Sequence, residues 1–484
     1  MPRLPQSIAV RRRQLPAHLA SLLLVLAPLG CTAITLQMEK TEGNEQVALA
    51  GTPTDTAPRV VLKNKQGVPV RGVRVSFAVE SGGGRVAVAS PVTDDSGRAT
   101  PGSWTLGQQP GMNVLSASVS GMLGVKFSAT GKDPYAVLAM MPGYNHSCDV
   151  TSDGRTRCWG INTHGGLGDG TTIERAEPTP VSTTRLFVAI GAGAFHSCGL
   201  SADSVAYCWG YNTNGAIGDG SAADRREPVA VGGNLRFAAI TLGFEHSCGL
   251  TSAGAAYCWG GNSEGQLGDG TTFRRLLPAP VAGNLRFATL VAGGFHSCGI
   301  TSAGRVYCWG NNANGRLGDG TQERRLVPVA VTSTLLFRQI TARVSHSCAL
   351  TDEGRAYCWG FNLYGALGDS STQQRLTPTP VWGNLRFASI AAGAFHSCAI
   401  TGAGVAYCWG ENDKGQLGDL TTTNRPVPAP VKGGLRFKSI FAGFSHSCAV
   451  TLTGTAYCWG ANDSGELGDG SKKMKLAPTV VVHR

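Results

Sequence analysis

The chain has 484 residues, of which 67 are glycine, 15% are charged, and the formal net charge is +11. So much glycine with so little charge indicates turn-rich β structure and argues against a largely helical protein, and the length suffices for two domains. The charge divides into +4 for residues 1–30, +2 for 31–144 (10 basic, 8 acidic) and +5 for 145–484 (28 basic, 23 acidic), so no segment is basic enough to indicate nucleic acid as a partner.

Residues 1–30 have the order of a secretory signal peptide: arginines, then an apolar run from Leu19 to Leu29, then Gly30 and Cys31. That run is shorter than the roughly 20 residues that span a membrane. The Gly30-Cys31 junction resembles a bacterial lipoprotein box, which implies that Cys31 is lipidated, becomes the first mature residue and anchors the protein to a membrane. The alternative is an ordinary signal peptide with an incidental Cys31. We therefore expect an exported protein of the bacterial cell envelope, at the outer membrane or surface, or a secreted one.

Residues 31–56 lack a periodic apolar pattern and are predicted to form a flexible linker. Residues 57–134 contain short alternating runs such as VRVSFAV and VKFSATG, separated by turn signals, which predicts a small β-sandwich. The succession GVPVRGVRVSFAVESGGG, TDDSGRAT and LGQQPGMNVLSASVSG resembles the bacterial immunoglobulin-like domains of the invasin and intimin type. That resemblance implies a spacer that holds a distal module away from the membrane.

Residues 135–484 repeat one unit every 50 residues. The stretch HSCALTDEGRAYCWG, His346–Gly360, is one of seven similar copies. The first copy begins at His146 and the last at His446. Two alternating runs around a Thr-x-x-Gly turn predict a β-hairpin. Each unit continues through a glycine-rich stretch to a Pro-x-Pro-Val strand and a Leu-x-Phe-x-x-Ile strand. About four strands in 50 residues are typical of a propeller blade.

The pattern HSCALTxxGxxYCWGxNxxGxLGDGT resembles the regulator of chromosome condensation repeat over residues 137–484. The resemblance implies a seven-bladed propeller that closes by mixing N- and C-terminal strands in one blade. The ends of the array fit this expectation, because Val480–Val482 stop just before a strand equivalent to Val137–Met140 would begin. The expected fold is all-β, a seven-bladed β-propeller over 135–484 preceded by the small immunoglobulin-like sandwich.

Fourteen of the 15 cysteines fall at two repeat positions, and the remaining one is Cys31. In each hairpin the two cysteines lie equally far from the turn, so they face each other, and an exported protein meets an oxidising compartment. The sequence thus predicts seven disulfides within hairpins. The rival is zinc, with His346, Cys348 and Cys358 as one of seven ligand sets; otherwise the histidine is a hydrogen-bonded structural residue. The cysteines concerned are Cys148, Cys158, Cys198, Cys208, Cys248, Cys258, Cys298, Cys308, Cys348, Cys358, Cys398, Cys408, Cys448 and Cys458.

An aspartate and a basic residue six positions later also recur in every unit. The aspartate could bind calcium, or it could satisfy turn backbone groups. The seven cations could attract an anionic partner together, or each could pair with its own aspartate, which is the interpretation we favour. The pairs are Asp169 and Arg175, Asp219 and Arg225, Asp269 and Arg275, Asp319 and Arg325, Asp369 and Arg375, Asp419 and Arg425, and Asp469 and Lys475.

Binding residues are expected where the units differ, because shared positions are explained by building the unit. Tyr211, Phe361, Tyr364 and Trp382 are the predicted binding residues, and Trp382 stands where other units have smaller side chains. Aromatic residues just before the hairpin are either core or surface, and the sequence leaves both open. They are Tyr144, Phe195, Phe244, Phe295, Phe395 and Phe444.

Catalysis needs a unique constellation, whereas every His-Cys-Asp cluster here is copied seven times. The sequence therefore predicts a non-enzymatic scaffold without a cofactor, which offers one rim of a propeller to a protein partner. Family members include exchange factors for a small nuclear GTPase, an activity that a secretory start argues against, and a secreted bacterial relative that inhibits β-lactamases. The alternative is a cell-wall carbohydrate hydrolase or lyase, which would need distinct carboxylates at one rim; Glu245 and Glu411 are the off-pattern acids near variable positions.

Overall fold

The computed structural model describes residues 36–108, 110–120, 124–133 and 135–482. The chain forms two compact units, one up to Gly131 and one from Lys132 onward. None of the described residues is helical, and accordingly no helix among them is long and apolar enough to cross a membrane. The predicted signal peptide, residues 1–30, and the predicted lipidation site, Cys31, lie outside the described residues.

The first unit contains nine strands in three sheets. The main sheets have the strand orders 1-3-6 and 2-9-8-4, and a third pairs strands 5 and 7. Side chains of both main sheets share one core, in which Leu62, Phe77, Leu115 and Phe127 surround Trp104. The strands are β1 Leu36–Glu42, β2 Gln46–Leu49, β3 Arg59–Asn64, β4 Ser76–Ser81, β5 Gly84–Val86, β6 Arg98–Ala99, β7 Trp104–Leu106, β8 Gly111–Ser118 and β9 Val125–Lys132.

The predicted linker over residues 31–56 is wrong for the part that the structure describes. Strand β1 pairs antiparallel with β3, and β2 lies at the edge of the second main sheet beside β9. Met38 is buried in the shared core. The sequence LQMEK gives only a weak strand signal. This edge strand buries one side chain, that of Met38, and its other positions can therefore be charged.

The second unit, called the repeat domain here, consists of seven four-stranded antiparallel sheets. Each sheet contains four strands that are consecutive in the chain and pair with their sequence neighbours, which confirms four strands per unit. The expectation that one sheet combines N- and C-terminal strands is wrong. The strand before each hairpin belongs to the same sheet as that hairpin, so the first and last sheets are each made only of consecutive strands. The strands of sheets 1 to 4 are β10 Val137–Pro142, β11 His146–Thr151, β12 Thr156–Gly160 and β13 Arg175–Pro180; β14 Phe187–Ala192, β15 His196–Ser201, β16 Ala206–Gly210 and β17 Arg225–Ala230; β18 Ala239–Leu242, β19 His246–Leu250, β20 Ala256–Gly260 and β21 Arg275–Pro280; β22 Phe287–Ala292, β23 His296–Thr301, β24 Val306–Gly310 and β25 Arg325–Ala330. Those of sheets 5 to 7 are β26 Gln339–Ala342, β27 His346–Leu350, β28 Ala356–Gly360 and β29 Arg375–Pro380; β30 Phe387–Ala392, β31 His396–Thr401, β32 Ala406–Gly410 and β33 Arg425–Pro430; β34 Phe437–Ala442, β35 His446–Thr451, β36 Ala456–Gly460 and β37 Lys475–Val480.

A disulfide closes the hairpin of every sheet. In sheet 5 the bond joins Cys348 and Cys358, which are direct partners in the strand register. The other bridges are Cys148–Cys158, Cys198–Cys208, Cys248–Cys258, Cys298–Cys308, Cys398–Cys408 and Cys448–Cys458. All fourteen cysteines are buried, and the described residues contain no group of three or more His, Cys, Asp or Glu arranged for a metal ion.

Neighbouring sheets pack face to face through a shared apolar layer. Between sheets 4 and 5, Ile300 and Val306 of one sheet contact Phe337, Ile340 and Trp359 of the other. The repeated tryptophan donates its Nε1–H to a backbone carbonyl of the preceding sheet at 2.9 to 3.0 Å in all seven sheets. This indole therefore satisfies its polar atom while burying its rings, which is how buried tryptophans are tolerated.

A ring of hydrogen bonds links all seven sheets, and we call it the histidine ring. Each repeated histidine contacts with its Nε2 the serine hydroxyl of the next sheet at 2.8 to 3.1 Å. The seven pairs are His146–Ser197, His196–Ser247, His246–Ser297, His296–Ser347, His346–Ser397, His396–Ser447 and His446–Ser147. The last pair joins sheet 7 to sheet 1.

The serine partners fix the protonation of the histidines. Each serine Oγ–H also donates to the carbonyl of the preceding sheet that accepts from the tryptophan, for example Ser347 to Arg316 at 2.9 Å. A hydroxyl has one proton, so the serine oxygen must accept the Nε2–H of the histidine. The seven Nδ1 atoms accept no hydrogen bond and are buried. Every ring histidine is thus neutral, and burial lowers its pKa, to about 4 for His346 and about 3 for His246.

Sheet 7 packs on sheet 1 through the same contacts that join every other pair. Val137, Met140 and Trp159 of sheet 1 share one core with Val450 and Leu467 of sheet 7. The seven first strands surround a central channel, because residues of β10, β14, β18, β22, β26, β30 and β34 line one cavity of about 210 Å³.

The recurring aspartate and basic residue form a local pair in all seven sheets, as favoured from the sequence. In sheet 4, Asp319 Oδ2 accepts from Arg325 Nε at 2.8 Å, while Oδ1 accepts from Thr321 and Asn312. Burial would raise the pKa of Asp319, but the hydrogen bonds from Arg325 and Thr321 outweigh it and hold the pKa below its ordinary value. The carboxylate therefore fastens the glycine-rich loop to the outermost strand, and the seven cations are not available as one free ring.

Candidate functional site

The two ends of the seven sheets carry different loops. Because the strands alternate in direction, the loop after the first strand and the loop after the third strand of each sheet meet at one end. In sheet 1 these loops are residues 143–145 and 161–174. The loops after the second and fourth strands, residues 152–155 and 181–186 in sheet 1, lie at the other end. We call the first end the aromatic face and the second the opposite face.

Aromatic side chains converge on the aromatic face over the end of the channel. Six sheets supply one each from the loop after the first strand, alternately from two adjacent repeat positions: Tyr144, Phe195, Phe244, Phe295, Phe395 and Phe444. Ring centroids lie 3.8 Å apart for Tyr144 and Phe444, 5.5 Å for Tyr144 and Phe244, and 5.1 Å for Phe244 and Phe295. All six are half-buried, so they are neither core nor freely exposed. They form one plug with an accessible outer surface.

Three of the four predicted binding residues extend this plug outward. Phe361 and Tyr364 lie 5.6 and 5.7 Å from Phe395, and 6.1 Å from each other. Tyr211 lies 6.4 Å from Phe195 and 4.8 Å from the ring of His164. Leucine 363, which is 60% exposed, adjoins Tyr364 in the same loop. The aromatic face thus carries a continuous patch of rings that reaches from the channel to the outer loops.

Trp382 does not join this patch. It follows strand β29, so it belongs to the opposite face, and 61% of its surface is exposed. The groove around it is small and contains Arg355 and Arg386. The four predicted binding residues therefore do not form one site, because the structure separates Trp382 from Tyr211, Phe361 and Tyr364 by the length of the sheets.

The two off-pattern acids, Glu245 and Glu411, both lie in loops of the aromatic face. Burial, with a smaller contribution from the Asp413 carboxylate, raises the pKa of Glu411 to about 7, although Gln416 donates to it. The same Gln416 amide lies 3.2 Å from Glu411 Oε2 and 3.4 Å from Asp413 Oδ1. Glu245 is elsewhere on the face and accepts from Asn214 at 2.8 Å. The two off-pattern acids that the sequence singled out therefore belong to different sheets and different networks.

Two cations were not predicted from the sequence: Arg343 of sheet 5 and Arg316 of sheet 4. Arg343 stands where the other six units have glycine, and Arg316 stands where they have Gly, Ala, Gln or Glu. Arg316 is buried, and its Nη1 donates to the carbonyl of Val344 at 2.7 Å. A column-by-column comparison of the seven units contains this signal, because no other unit has a cation at either position.

Comparison with known protein families matches the repeat domain. Residues 277–484 match the model of an RCC1-like domain, and residues 153–200, 187–216, 237–266 and 253–300 match models of the regulator of chromosome condensation (RCC1) repeat. No curated protein matches the sequence at a significant level.

Solved structures with the same fold come from proteins of distant sequence. Yeast RCC1 (Prp20), crystallised bound to Kap60, is 23% identical with a TM-score of 0.61, over 72% of this chain and 86% of that one. Prp20p of Saccharomyces cerevisiae, described with its binding properties to Gsp1p and histones, has the same identity and TM-score over 72% and 87%. Human WBSCR16 is 19% identical with a TM-score of 0.60 over 78% and 98%. These likenesses show the fold.

Proposed function

We propose, from the premise that this chain belongs to the regulator of chromosome condensation repeat family, that it is a non-enzymatic binding protein whose aromatic face holds a protein partner. The repeat domain would act as a closed seven-bladed propeller, and the first unit as an immunoglobulin-like spacer. Solved structures with this fold support a protein-binding role, because yeast RCC1 was crystallised with Kap60 and Prp20p was described with its binding properties to Gsp1p and histones. Those structures do not identify the partner of this chain, because its aromatic patch is built from residues that are not part of the repeat pattern.

The observation that carries the proposal is the patch itself. Aromatic rings are enriched where protein interfaces concentrate their binding energy, and half-buried rings fixed by neighbouring rings lose little conformational entropy on binding. Phe361 and Tyr364 touch Phe395 on a loop that is anchored by the Asp369–Arg375 pair. Nothing in building a sheet requires them, because the equivalent residues of sheet 4 are Asn311 and Asn314. These two aromatic residues are therefore particular to sheet 5, and their rings pack against the plug.

Replacing both Phe361 and Tyr364 by asparagine, the residues that sheet 4 uses, is expected to weaken capture of the partner at least thirtyfold. Truncating an anchor at an interface centre commonly costs about 2 kcal/mol or more. The soluble repeat domain would capture a partner from envelope extracts, mass spectrometry would identify it, and titration with the purified partner would give the affinity of each variant.

Trp382→Ala is the matched control, since it removes a large exposed ring from the opposite face. It is expected to leave both the affinity and the melting temperature close to wild type, as ordinary surface changes do. If Trp382→Ala abolishes capture and the double variant does not, the partner binds the opposite face. If neither variant changes the affinity, aromatic anchors do not carry the interaction.

A second candidate function has one observation in its favour. Glu411, with a pKa of about 7, and Asp413 share the Gln416 amide in sheet 6, whose Phe395 contacts Phe361 and Tyr364. An acid with a raised pKa beside a second carboxylate is the pairing that glycoside hydrolysis uses. Release of reducing sugars from purified cell-wall glycan by wild type but not by Glu411→Gln would support a hydrolase. Equal or absent release in both would end this candidate.

We also propose that the protein is exported and is held at the bacterial cell envelope by a lipid on Cys31, with secretion as the alternative. The support is the order of residues 1–31 and the pairing of every other cysteine within a hairpin. Mass spectrometry of the mature N-terminus is expected to find acylated Cys31 as its first residue. An unmodified Cys31, or a start at another residue, would contradict the lipid anchor.

A further inference from the structure

The central channel contains one cation that has no anionic partner. Arg343 lies at the end of the first strand of sheet 5 and lines both the channel and the small gap beneath the aromatic plug. Its Nη2 donates across the channel to the carbonyl of Pro142 in sheet 1 at 2.8 Å. Among the described residues that line the channel none is Asp or Glu, and no ion pair in the described part of the chain includes Arg343. A guanidinium has five N–H donors, so most of its capacity is directed elsewhere than at protein acceptors.

Arg343 occupies this position at a structural cost. The six equivalent residues are glycines, and a side-chain carbon added at Gly243 would lie 2.2 Å from the ring of His246. The six glycine N–H groups donate to the histidine carbonyl at 2.7 to 2.9 Å, whereas the Arg343 N–H reaches the His346 carbonyl at 3.3 Å. The arginine thus loosens the hairpin start of sheet 5. Burial of its charge also lowers the pKa of Arg343 to about 10, the direction expected for a buried cation.

The other polar side chains of the channel are those of Gln339, Thr241 and Thr341. The Gln339 amide is paired with the backbone N–H and carbonyl of Ile390, and the two threonines can donate. The oxygens of Thr241 and Thr341 accept from the backbone N–H groups of Ala292 and Ala392 at 2.9 and 3.1 Å, which leaves their hydroxyl protons to donate. Apolar side chains such as Ile240 and Ile390 make up most of the wall. The cavity of about 210 Å³ exceeds the roughly 150 Å³ that holds a benzene molecule in an engineered protein cavity. A low-dielectric wall strengthens the attraction of a guanidinium for an anion.

We infer that the channel is a binding site for one small oxyanion, a carboxylate or a phosphate, held by the Arg343 guanidinium. The planar fork of the guanidinium matches two oxygens of either group. The aromatic plug covers the channel on the side of Arg343, so the anion enters from the opposite face. This site is independent of the partner site proposed on the aromatic face, because none of the aromatic residues of the plug or the patch lines the channel.

The test compares the whole exported protein with Arg343→Gly, which restores the residue of the six other sheets. Sodium acetate and sodium phosphate are titrated separately at constant ionic strength against sodium chloride. For wild type, calorimetric titration is expected to show one site per chain for at least one of the two anions. A concentration of 100 times Kd is then expected to raise Tm by about 3 °C.

Arg343→Gly is expected to lose the binding heat and the anion-dependent rise, while its Tm in chloride equals or exceeds that of wild type. Arg338→Ala is the control, because Arg338 donates to the carbonyls of Thr351, Phe387 and Ala388 and does not line the channel; it should bind as wild type does. Saturation by acetate alone or by phosphate alone assigns the ligand class. Equal rises in Tm for wild type and Arg343→Gly, or no binding heat in wild type, would overturn the inference, and Arg343→Gln replaces the glycine variant if that variant does not fold.

Discussion

Acidification from pH 7 to pH 4 is expected to unfold the repeat domain cooperatively, with a midpoint near pH 5. The cause is the histidine ring, in which seven buried imidazoles are neutral. Burial lowers their pKa values, to about 3 for His196, His246, His396 and His446 and to about 4 for His146 and His346, and that of His296 lies well below its ordinary value. In the unfolded chain the same groups titrate near 6.5.

The direction follows from proton linkage. The unfolded state binds more protons than the folded state between pH 6.5 and about 4, so the stability that the neutral histidines contribute is complete above pH 6.5 and is lost as the pH falls. One such histidine changes the free energy of unfolding by about 1.4 kcal/mol per pH unit, and seven together by about 10 kcal/mol per unit at the steepest point. A domain that is stable by about 5–15 kcal/mol cannot withstand much more than one unit of that slope. The aspartates of the loop pairs, whose pKa values are lowered, add a further loss below pH 4.

Urea unfolding followed by circular dichroism at half-unit steps from pH 8 to pH 4 measures this slope. His346→Gln, whose side-chain amide can still donate to Ser397, should reduce the slope by one proton. The control is Trp382→Ala, which changes an exposed side chain of the opposite face without removing a titratable group, so it should leave the slope unchanged. A free energy of unfolding that stays constant between pH 6.5 and pH 4.5 would show that the ring histidines are not neutral and buried as described.

Reduction of the seven disulfides is expected to leave the repeat domain unfolded at 25 °C. Each bridge has a sequence separation of 10 residues, and closing such a loop stabilises the folded state by about 2–3 kcal/mol in the chain-entropy model. Seven independent bridges together contribute about 14–21 kcal/mol, which exceeds the usual net stability of a domain. The protein should be unfolded in urea with excess reductant, then diluted into buffer that keeps the thiols reduced, and its circular dichroism compared with that of oxidised protein.

Removing a single bridge provides the graded version of this experiment. Cys348→Ala combined with Cys358→Ala should lower the free energy of unfolding by about 2–3 kcal/mol plus a smaller packing loss. A reduced wild type that refolds with the urea midpoint of the oxidised protein would contradict the expectation, because sheet packing alone would then hold the domain together.

The repeating part of this molecule could be predicted from the sequence because the same evidence occurs seven times. The hairpin at His346–Gly360 has the Thr-x-x-Gly turn and facing cysteines, and its pattern cannot be confused with a helix. The strand β1 was missed for the opposite reason: it occurs once, at an edge, and buries mainly Met38. A single buried side chain among charged ones gives no period to recognise.

The candidate site was only partly predictable. Phe361, Tyr364 and Tyr211 stand out in the sequence because they depart from the repeat, but a departure does not state at which end of a strand a residue lies. Trp382 departs as strongly and lies at the opposite face. Arg343 was overlooked because its importance depends on the channel, which exists only when seven first strands meet. Properties that arise from closure of the array are not local properties of any unit.

The way the array closes also determines where it can come apart. Six of the seven contacts between sheets are crossed by the chain, which passes from one sheet to the next through a short loop such as residues 181–186. The contact of sheet 7 with sheet 1 is held only by side chains and a few hydrogen bonds, such as those of His446 with Ser147 and of Val137 with Gly454. No described strand is exchanged there, so this contact between sheets 7 and 1 is the one junction of the repeat domain that no covalent chain segment crosses. The first and last strands of the repeat array lie at this junction. A circular permutant that joins them and opens the chain at any of the other six junctions would therefore keep all seven sheets intact.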